Sequence, residues 1–269
     1  MMITIYTITG SAVYAAEIPV SDQDQLITSR DWTEISNLQD EMKKEEPDAT
    51  IDYDKALKVY VDCNLIKLQT ADTKKLTSAL ESANYVWVIP FKMEKTYGMF
   101  TVAKGLPLRE EAKSVLTKAE QEEVKNHAGK WMITETAEHT VEPYYDILLE
   151  KREALSDCTR VVLVGSQPGM RQPVALGMDD ETARIWISLG YQYPVMKKIP
   201  ETQNVESGVY SFDSVAEISD TYIEDSEVST GAGVQSRSSM KYVAGIGIIV
   251  IGSILILSVL KKKKLEDYE

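Results

Sequence analysis

The stretch YVWVIPFKMEKTYGMFTVAK, residues 85–104, contains two runs rich in aromatic and β-branched residues. The runs cover residues 85–93 and 97–104, and three residues separate them. Residues of these types favour extended backbone, and a turn this short joins neighbouring antiparallel strands. The stretch therefore predicts a β-hairpin.

The chain before the hairpin predicts two helices and a strand. Asp31 and Glu34 have the spacing of a capping box, and apolar residues follow at helical intervals through Met42. Residues 56–62 alternate between apolar and polar, which predicts a strand. Asp72 is a suitable N-cap for a helix through about residue 83.

The chain after the hairpin predicts two more helices and four strands. In chain order these are a polar helix over 108–126, a strand over 130–135, a helix that Pro143 opens, and a meander of strands over 159–165, 173–178 and 183–189. The order strand, helix, strand, strand thus occurs over 56–104 and again over 130–178, as in tandem β-α-β-β units. Alternatively, helices and strands that alternate by chance would give the same order without any repeat. Either interpretation predicts an α+β fold, a mostly antiparallel sheet with covering helices.

The C-terminal part of the chain predicts a membrane anchor. Residues 242–260 read YVAGIGIIVIGSILILSVL, nineteen residues without a charge. A helix of this length spans roughly 28 Å, about one hydrocarbon core. Lys261, Lys262, Lys263 and Lys264 follow directly and indicate a cytoplasmic flank. We predict a transmembrane helix over residues 241–260, a cytoplasmic tail over 261–269 and an N-terminal domain outside the cell membrane.

The segments on either side of the domain have their own composition. Residues 199–236 hold eight acidic residues and no Lys, Arg or His, which predicts a disordered acidic stalk with Ser and Gly over residues 201–240. A strand near Val209 to Phe212 could still dock on the domain. Residues 1–15 are uncharged and mostly apolar, which predicts a signal peptide with an incomplete n-region or, alternatively, a first strand. Residues 16–200 remain as an extracytoplasmic α+β domain.

Composition excludes several classes of function. The net charge of −13 argues against a nucleic-acid partner, because binding to phosphates needs a basic surface. Two cysteines cannot make a disulfide scaffold or a four-thiolate zinc site, and two histidines leave little room for histidine-based catalysis. No sequence motif assigns a catalytic residue, a cofactor or a metal ligand.

Cysteines and tryptophans are the remaining candidates for chemistry or recognition. Cys63 and Cys158 each lie at the end of a predicted strand. A disulfide between them is possible in an exported domain, but we favour the interpretation that they are two separate buried thiols. Trp87, Trp131 and Trp186 lie in predicted strands, with Tyr85 near the first. Core packing is the simpler explanation of these aromatic residues, and a ligand or partner surface is the other.

Three functions fit this organisation. The first is a single-pass, membrane-anchored interaction module with a protein partner at the membrane or envelope, which predicts a broad apolar patch. The alternative is an extracytoplasmic ligand-binding or sensory domain, which predicts a pocket with a few convergent polar groups. An envelope enzyme is the third, and it predicts carboxyl groups with strongly shifted pKa values in a cleft.

Overall fold

The protein is described here by a computed structural model that covers residues 18–139, 143–165, 167, 170, 173–189, 199 and 204–218. Within these residues, ten strands form one sheet. In chain order the strands are β1 (Thr50–Ile51), β2 (Leu57–Tyr60), β3 (Tyr85–Lys92), β4 (Tyr97–Lys104), β5 (Trp131–His139), β6 (Arg160–Val164), β7 (Val174–Met178), β8 (Ala183–Ser188), β9 (Asn204–Glu206) and β10 (Val209–Ser211).

The sheet has the strand order β5-β4-β3-β2-β6-β7-β8-β10-β9, and β1 pairs with β3 beside this path. The strands β2 and β6 are parallel, and the other pairings between the described strands are antiparallel. The predicted hairpin is β3–β4, and the predicted meander is β6–β7–β8. The large, mostly antiparallel sheet with its helices confirms the predicted α+β class.

The two segments of like element order do not form equivalent units in space. In the first segment β2 pairs directly with β3. In the second, β5 pairs with β4 at one edge of the sheet, while β6 lies beside β2. The hairpin β3–β4 leaves one side of β4 free, and β5 pairs along the whole length of that strand. The tandem arrangement predicted for residues 56–104 and 130–178 is therefore not present in the sheet.

Helices cover both faces of the sheet. They are α1 (Trp32–Ser36), α2 (Gln39–Glu45), α3 (Thr73–Ser82), α4 (Glu110–Lys113), α5 (Lys118–His127) and α6 (Tyr144–Glu150), and residues 212–218 are also helical. The side chain of Asp72 accepts a hydrogen bond from the backbone N–H of Lys75 at 3.0 Å, so the predicted N-cap of α3 is confirmed.

The polar helix predicted over residues 108–126 is interrupted, because a capping box starts a new helix inside it. The hydroxyl of Thr117 accepts a hydrogen bond from the Glu120 N–H at 3.3 Å, and the Glu120 carboxylate accepts one from the Thr117 N–H at 2.7 Å. This reciprocal pair satisfies free N–H groups at the start of α5. The chain consequently forms α4 and α5 in place of one helix.

Alternation along the strands divides the core between the two faces of the sheet. Val86 and Val88 pack with Leu148 of α6 on one face. Trp87 and Ile89 lie on the opposite face, in a cluster that α1 and α2 cover. A further cluster lies under α3, on the same face as Trp87. Tyr60 of β2 belongs to this cluster and pairs with Tyr85 of β3. Tyr85 is two positions before Trp87, so alternation places both on one face.

The folded domain extends beyond the boundary predicted at residue 200. The strand β10 pairs with β8 and lies within the region predicted as stalk. Val209 and Tyr210 are buried, and the Phe212 ring lies 6.0 Å from that of Trp186. The backbone of β10 thus pairs with the open edge of β8, and its side chains join the core clusters on the two faces of the sheet. The predicted docking of a strand near Val209 is confirmed, and the described domain reaches residue 218.

The predicted membrane segment lies outside the part of the chain that the structure describes. This also holds for residues 1–15, for the stalk beyond residue 218, and for Lys261, Lys262, Lys263 and Lys264. Among the helices of the described residues, none is long and apolar enough to cross a membrane.

Candidate functional site

A pocket of about 360 Å³ opens at one end of the sheet, where β2 and β4 end and β3 and β5 begin. The start of α1 forms one wall. We call this cavity the sheet-end pocket. Its charged lining residues are Arg30, Asp31, Glu34, Asp62 and Lys104, and its aromatic lining residues are Tyr85 and Trp131.

The aromatic wall of the sheet-end pocket consists of the first residues of two strands. The ring centroids of Tyr85 and Trp131 are 5.8 Å apart, and the ring planes meet at 47°. The Lys104 ammonium lies 5.4 Å from the centroid of the Trp131 ring, which is within the range of a cation–π contact. Trp131 is buried, and its Nε1 has no hydrogen-bond partner among the described residues.

Asp31 holds the phenol of Tyr85 in place from the other side. Its Oδ2 accepts a hydrogen bond from the Tyr85 hydroxyl at 2.9 Å and another from Trp87 Nε1 at 3.1 Å. The carboxylate therefore makes no cap for α1, and the capping box predicted for Asp31 and Glu34 is not formed. Burial, together with the hydrogen bond to Asp31, raises the pKa of the Tyr85 phenol, which stays protonated at neutral pH.

Other charged groups of the sheet-end pocket face solvent. Glu34 and Lys104 are exposed, and neither belongs to an ion pair among the described residues. The Arg30 side chain is 85% exposed and donates a hydrogen bond to the Tyr85 hydroxyl at 3.5 Å. The pocket thus presents groups of both signs that remain available to a ligand.

Asp62 has an uncommon backbone conformation at the rim of the sheet-end pocket. Its φ angle is +60°, in the left-handed region that non-glycine residues rarely adopt. Its Oδ2 accepts a hydrogen bond from Asn84 Nδ2 at 2.8 Å. Backbone conformations of this kind cost free energy, and they are enriched at binding sites.

A buried ammonium group lies behind the aromatic wall. Lys58 Nζ is 4.8 Å from the ring centroid of Tyr85 and 5.3 Å from that of Trp87. It also lies 3.3 Å from Asp24 Oδ1. The Lys58 ammonium is therefore within cation–π distance of the Tyr85 ring. The same residue, Tyr85, lines the sheet-end pocket, so it contacts both the pocket and the buried charge.

Asp24 is the centre of this buried ionic cluster. Its side chain is 2% exposed, and it accepts hydrogen bonds from Tyr60 at 2.7 Å, Ser21 at 2.6 Å and Arg160 at 3.2 Å. Burial by itself would raise the pKa of Asp24. The hydrogen bonds from Ser21 and Tyr60 and the charges of Lys58 and Arg160 outweigh burial and hold this pKa below its usual value.

The structure does not bring the two cysteines together. Cys63 belongs to the core cluster under α3, and Cys158 belongs to the cluster under α6 on the other face of the sheet. Both are free thiols, and burial raises the pKa of each to about 11. A thiol with so high a pKa is almost entirely protonated at neutral pH, which makes it a weak nucleophile.

The sequence alone does not distinguish the aromatic residues of the core from those that line the sheet-end pocket. Trp87 and Trp186 are fully buried core residues, whereas Trp131 and Tyr85 line the sheet-end pocket. Glu34, Asp62 and Lys104 were not recognised as candidates, since single charged residues have no distinctive spacing. Among the described residues, no group of three or more His, Cys, Asp or Glu side chains is placed to hold a metal ion.

No protein-family model, no curated protein and no solved structure matches this chain. The function must therefore be inferred from the geometry of the sheet-end pocket and from the composition of the chain.

Proposed function

We propose that this chain is a membrane-anchored, extracytoplasmic domain that binds a small ligand in the sheet-end pocket. The supporting observation is the cavity of about 360 Å³, in which two aromatic rings converge with charged groups of both signs. Ligand sites in proteins commonly enclose roughly 300–1,000 Å³ and combine apolar walls with a few polar groups. Of the three functions expected from the sequence, ligand binding is the one that this geometry favours.

The membrane part of the proposal is based on composition. The uncharged residues 242–260 and the cluster of Lys261, Lys262, Lys263 and Lys264 favour a single-pass anchor with its C-terminus in the cytoplasm. An amine-reactive reagent that cannot cross membranes tests this orientation on intact cells. We expect labelling of the exposed lysines Lys113 and Lys130 and none of Lys261 to Lys264. The reverse pattern would refute the proposed orientation.

An interaction module would need an apolar surface, and the described part of the chain offers only single residues. Its exposed large apolar residues belong to four different elements or loops, and they are Ile27, Leu68, Val115 and Leu149. Single exposed apolar side chains are normal on soluble surfaces. We therefore place ligand binding before interaction with a protein partner.

Thermal unfolding of the full-length chain in detergent tests ligand binding. A panel of anionic, cationic, zwitterionic and neutral aromatic compounds is screened for an increase in melting temperature. We expect at least one compound class to raise it, and Trp131→Leu to abolish the increase. Trp32→Leu is the control, because Trp32 packs against Tyr53 outside the pocket. Ligand shifts that Trp131→Leu and Trp32→Leu affect equally would contradict the assignment of the pocket.

A further inference from the structure

The charges around the sheet-end pocket define the class of ligand that it can accept. Lys104 and Arg30 supply positive charge, and Glu34 and Asp62 supply negative charge. Lys104 and Glu34 are exposed, and among the described residues no ion pair neutralises either of them. Both signs of charge are therefore free to contact a ligand in the same cavity.

Asp31 does not count among the free charges. Its side chain is 8% exposed, and its Oδ2 already accepts hydrogen bonds from Tyr85 and Trp87. By contrast, only one oxygen of Asp62 is used within the described residues, in the hydrogen bond from Asn84. Arg30 already has partners, because its Nε lies 3.9 Å from Asp31 Oδ1 and its guanidinium donates a hydrogen bond to Tyr85. The free groups are thus one cation, Lys104, and two carboxylates, Glu34 and Asp62.

A ligand with a single sign of charge fits this arrangement poorly. A dicarboxylate would place an anionic group near Glu34 or Asp62, and a diamine would place a cationic group near Lys104 or Arg30. Repulsion between like charges in a partly closed cavity lowers affinity, whereas charge-assisted hydrogen bonds to opposite charges raise it. Electrostatic complementarity therefore favours a ligand that carries one charge of each sign.

We propose that the sheet-end pocket binds a zwitterion, specifically a free α-amino acid with an aromatic or long apolar side chain. Its carboxylate contacts Lys104 and Arg30, and its ammonium contacts Glu34 and Asp62. Its side chain packs along the rings of Tyr85 and Trp131. A cavity of about 360 Å³ has room for one such molecule. This inference depends on the ligand-binding function proposed above.

Titration calorimetry of the full-length chain in detergent tests the zwitterion directly. The probes are L-phenylalanine, phenethylamine, which lacks the carboxylate, and 3-phenylpropionate, which lacks the ammonium. We expect L-phenylalanine to bind, and each analogue to bind at least tenfold more weakly, because a hydrogen bond to a charged group is lost in each case.

Lys104→Gln tests the contact with the carboxylate, and Lys92→Gln is its matched control. Each lysine is the last residue of a strand, is exposed, and lies over an aromatic ring, at 5.4 Å for Lys104 and 5.8 Å for Lys92. We expect Lys104→Gln to weaken L-phenylalanine at least fivefold and to leave phenethylamine unchanged, since the amine has no carboxylate to lose. Lys92→Gln should leave both affinities unchanged.

Glu34→Gln provides the same test for the ammonium and does not depend on Lys104. It should weaken L-phenylalanine at least fivefold and leave 3-phenylpropionate unchanged, with the exposed Glu41→Gln of α2 as its control. Suppose that one analogue binds as tightly as L-phenylalanine and that Lys104→Gln still weakens L-phenylalanine. That result would overturn the proposal of a zwitterionic ligand but would still support binding in the sheet-end pocket. L-Phenylalanine binding that neither Lys104→Gln nor Glu34→Gln weakens would overturn the inference. Failure of all three probes would also overturn it, while a Trp131-dependent shift with another compound would leave the proposed function intact.

Discussion

Replacement of Asp24 by asparagine should destabilise the domain strongly. The Asp24 side chain is 2% exposed, and those of its cationic neighbours Lys58 and Arg160 are 9% and 18% exposed. Removal of one partner from a buried ionic cluster typically costs about 3–5 kcal/mol, because the remaining charges stay buried without compensation. Arg160 can turn partly towards water, so we expect a loss near the lower limit, about 3 kcal/mol in the free energy of unfolding.

Urea denaturation of the full-length chain in detergent measures this loss. The four tryptophans, at positions 32, 87, 131 and 186, all lie in the described domain, so their fluorescence reports on its unfolding. Asp22→Asn is the matched control, because Asp22 lies in the same short turn and is exposed. An exposed substitution of this kind should change the free energy of unfolding by less than about 0.5 kcal/mol.

The effect of Asp24→Asn should also depend on pH. The pKa of Asp24 is lower in the folded state than in the unfolded state, so the unfolded chain binds more protons at acidic pH. The contribution of Asp24 is therefore complete above its unfolded pKa, about 4, and is lost as pH falls through the lower folded value. The difference between wild type and Asp24→Asn should shrink below pH 4.

Two results would refute this account of the ionic cluster. One is a loss below about 1 kcal/mol for Asp24→Asn at pH 7. The other is a loss of equal size at pH 7 and pH 3. The double variant Asp24→Asn, Lys58→Met supplies a positive test. It should recover part of the lost stability, because it replaces a buried ammonium that has lost its carboxylate partner and, among the described residues, keeps only the Gln23 carbonyl and the neighbouring rings with an apolar side chain of similar length.

Three further predictions concern packing, thiols and helix capping. Gly98→Ala should cost about 1–3 kcal/mol in urea denaturation, because the new Cβ would collide with the buried Phe91 ring; a neutral result would mean that the ring moves aside. Cys63 and Cys158 should resist iodoacetamide at pH 8 until urea is added, because burial raises both pKa values to about 11, and mass spectrometry should find the same mass with and without reductant. Thr117→Ala should increase amide hydrogen exchange at the start of α5, with a cost of about 1 kcal/mol, and unchanged exchange would refute the role of its cap.

Features that depend on neighbouring residues in the sequence were predicted well. The hairpin β3–β4 follows from two apolar runs around a short turn, and the cap of α3 follows from Asp72 alone. The division of the helix over residues 108–126 was missed although Thr117 and Glu120 have capping-box spacing. Apolar residues at helical spacing, Ala112, Val115, Leu116 and Ala119, continue through that position, so the helical period concealed the local competition between one long helix and two short ones.

Features that depend on distant pairing were not predictable from local patterns. Nothing within residues 131–139 indicates that β5 pairs with β4 in preference to β6. A strand near Val209 could be expected from the sequence, but the acidic composition of residues 201–240 gave no indication that this strand, β10, pairs with β8. Val209, Tyr210 and Phe212 are few among many polar residues, yet they are buried because the open edge of β8 is there to receive them.

The sheet-end pocket shows why alternation alone cannot distinguish a core aromatic residue from one that lines a cavity. Tyr85 and Trp87 are two positions apart on β3, and alternation places both on the same face of the sheet. Trp87 lies inside the strand and is fully buried, whereas Tyr85 is the first residue of its strand and borders a cavity. Lys104, at the end of β4, and Glu34, in α1, reach the same cavity from positions 70 residues apart in the chain. What distinguishes Tyr85, Lys104 and Trp131 is their position at the ends of neighbouring strands, and only the order of the strands in the sheet determines which ends meet.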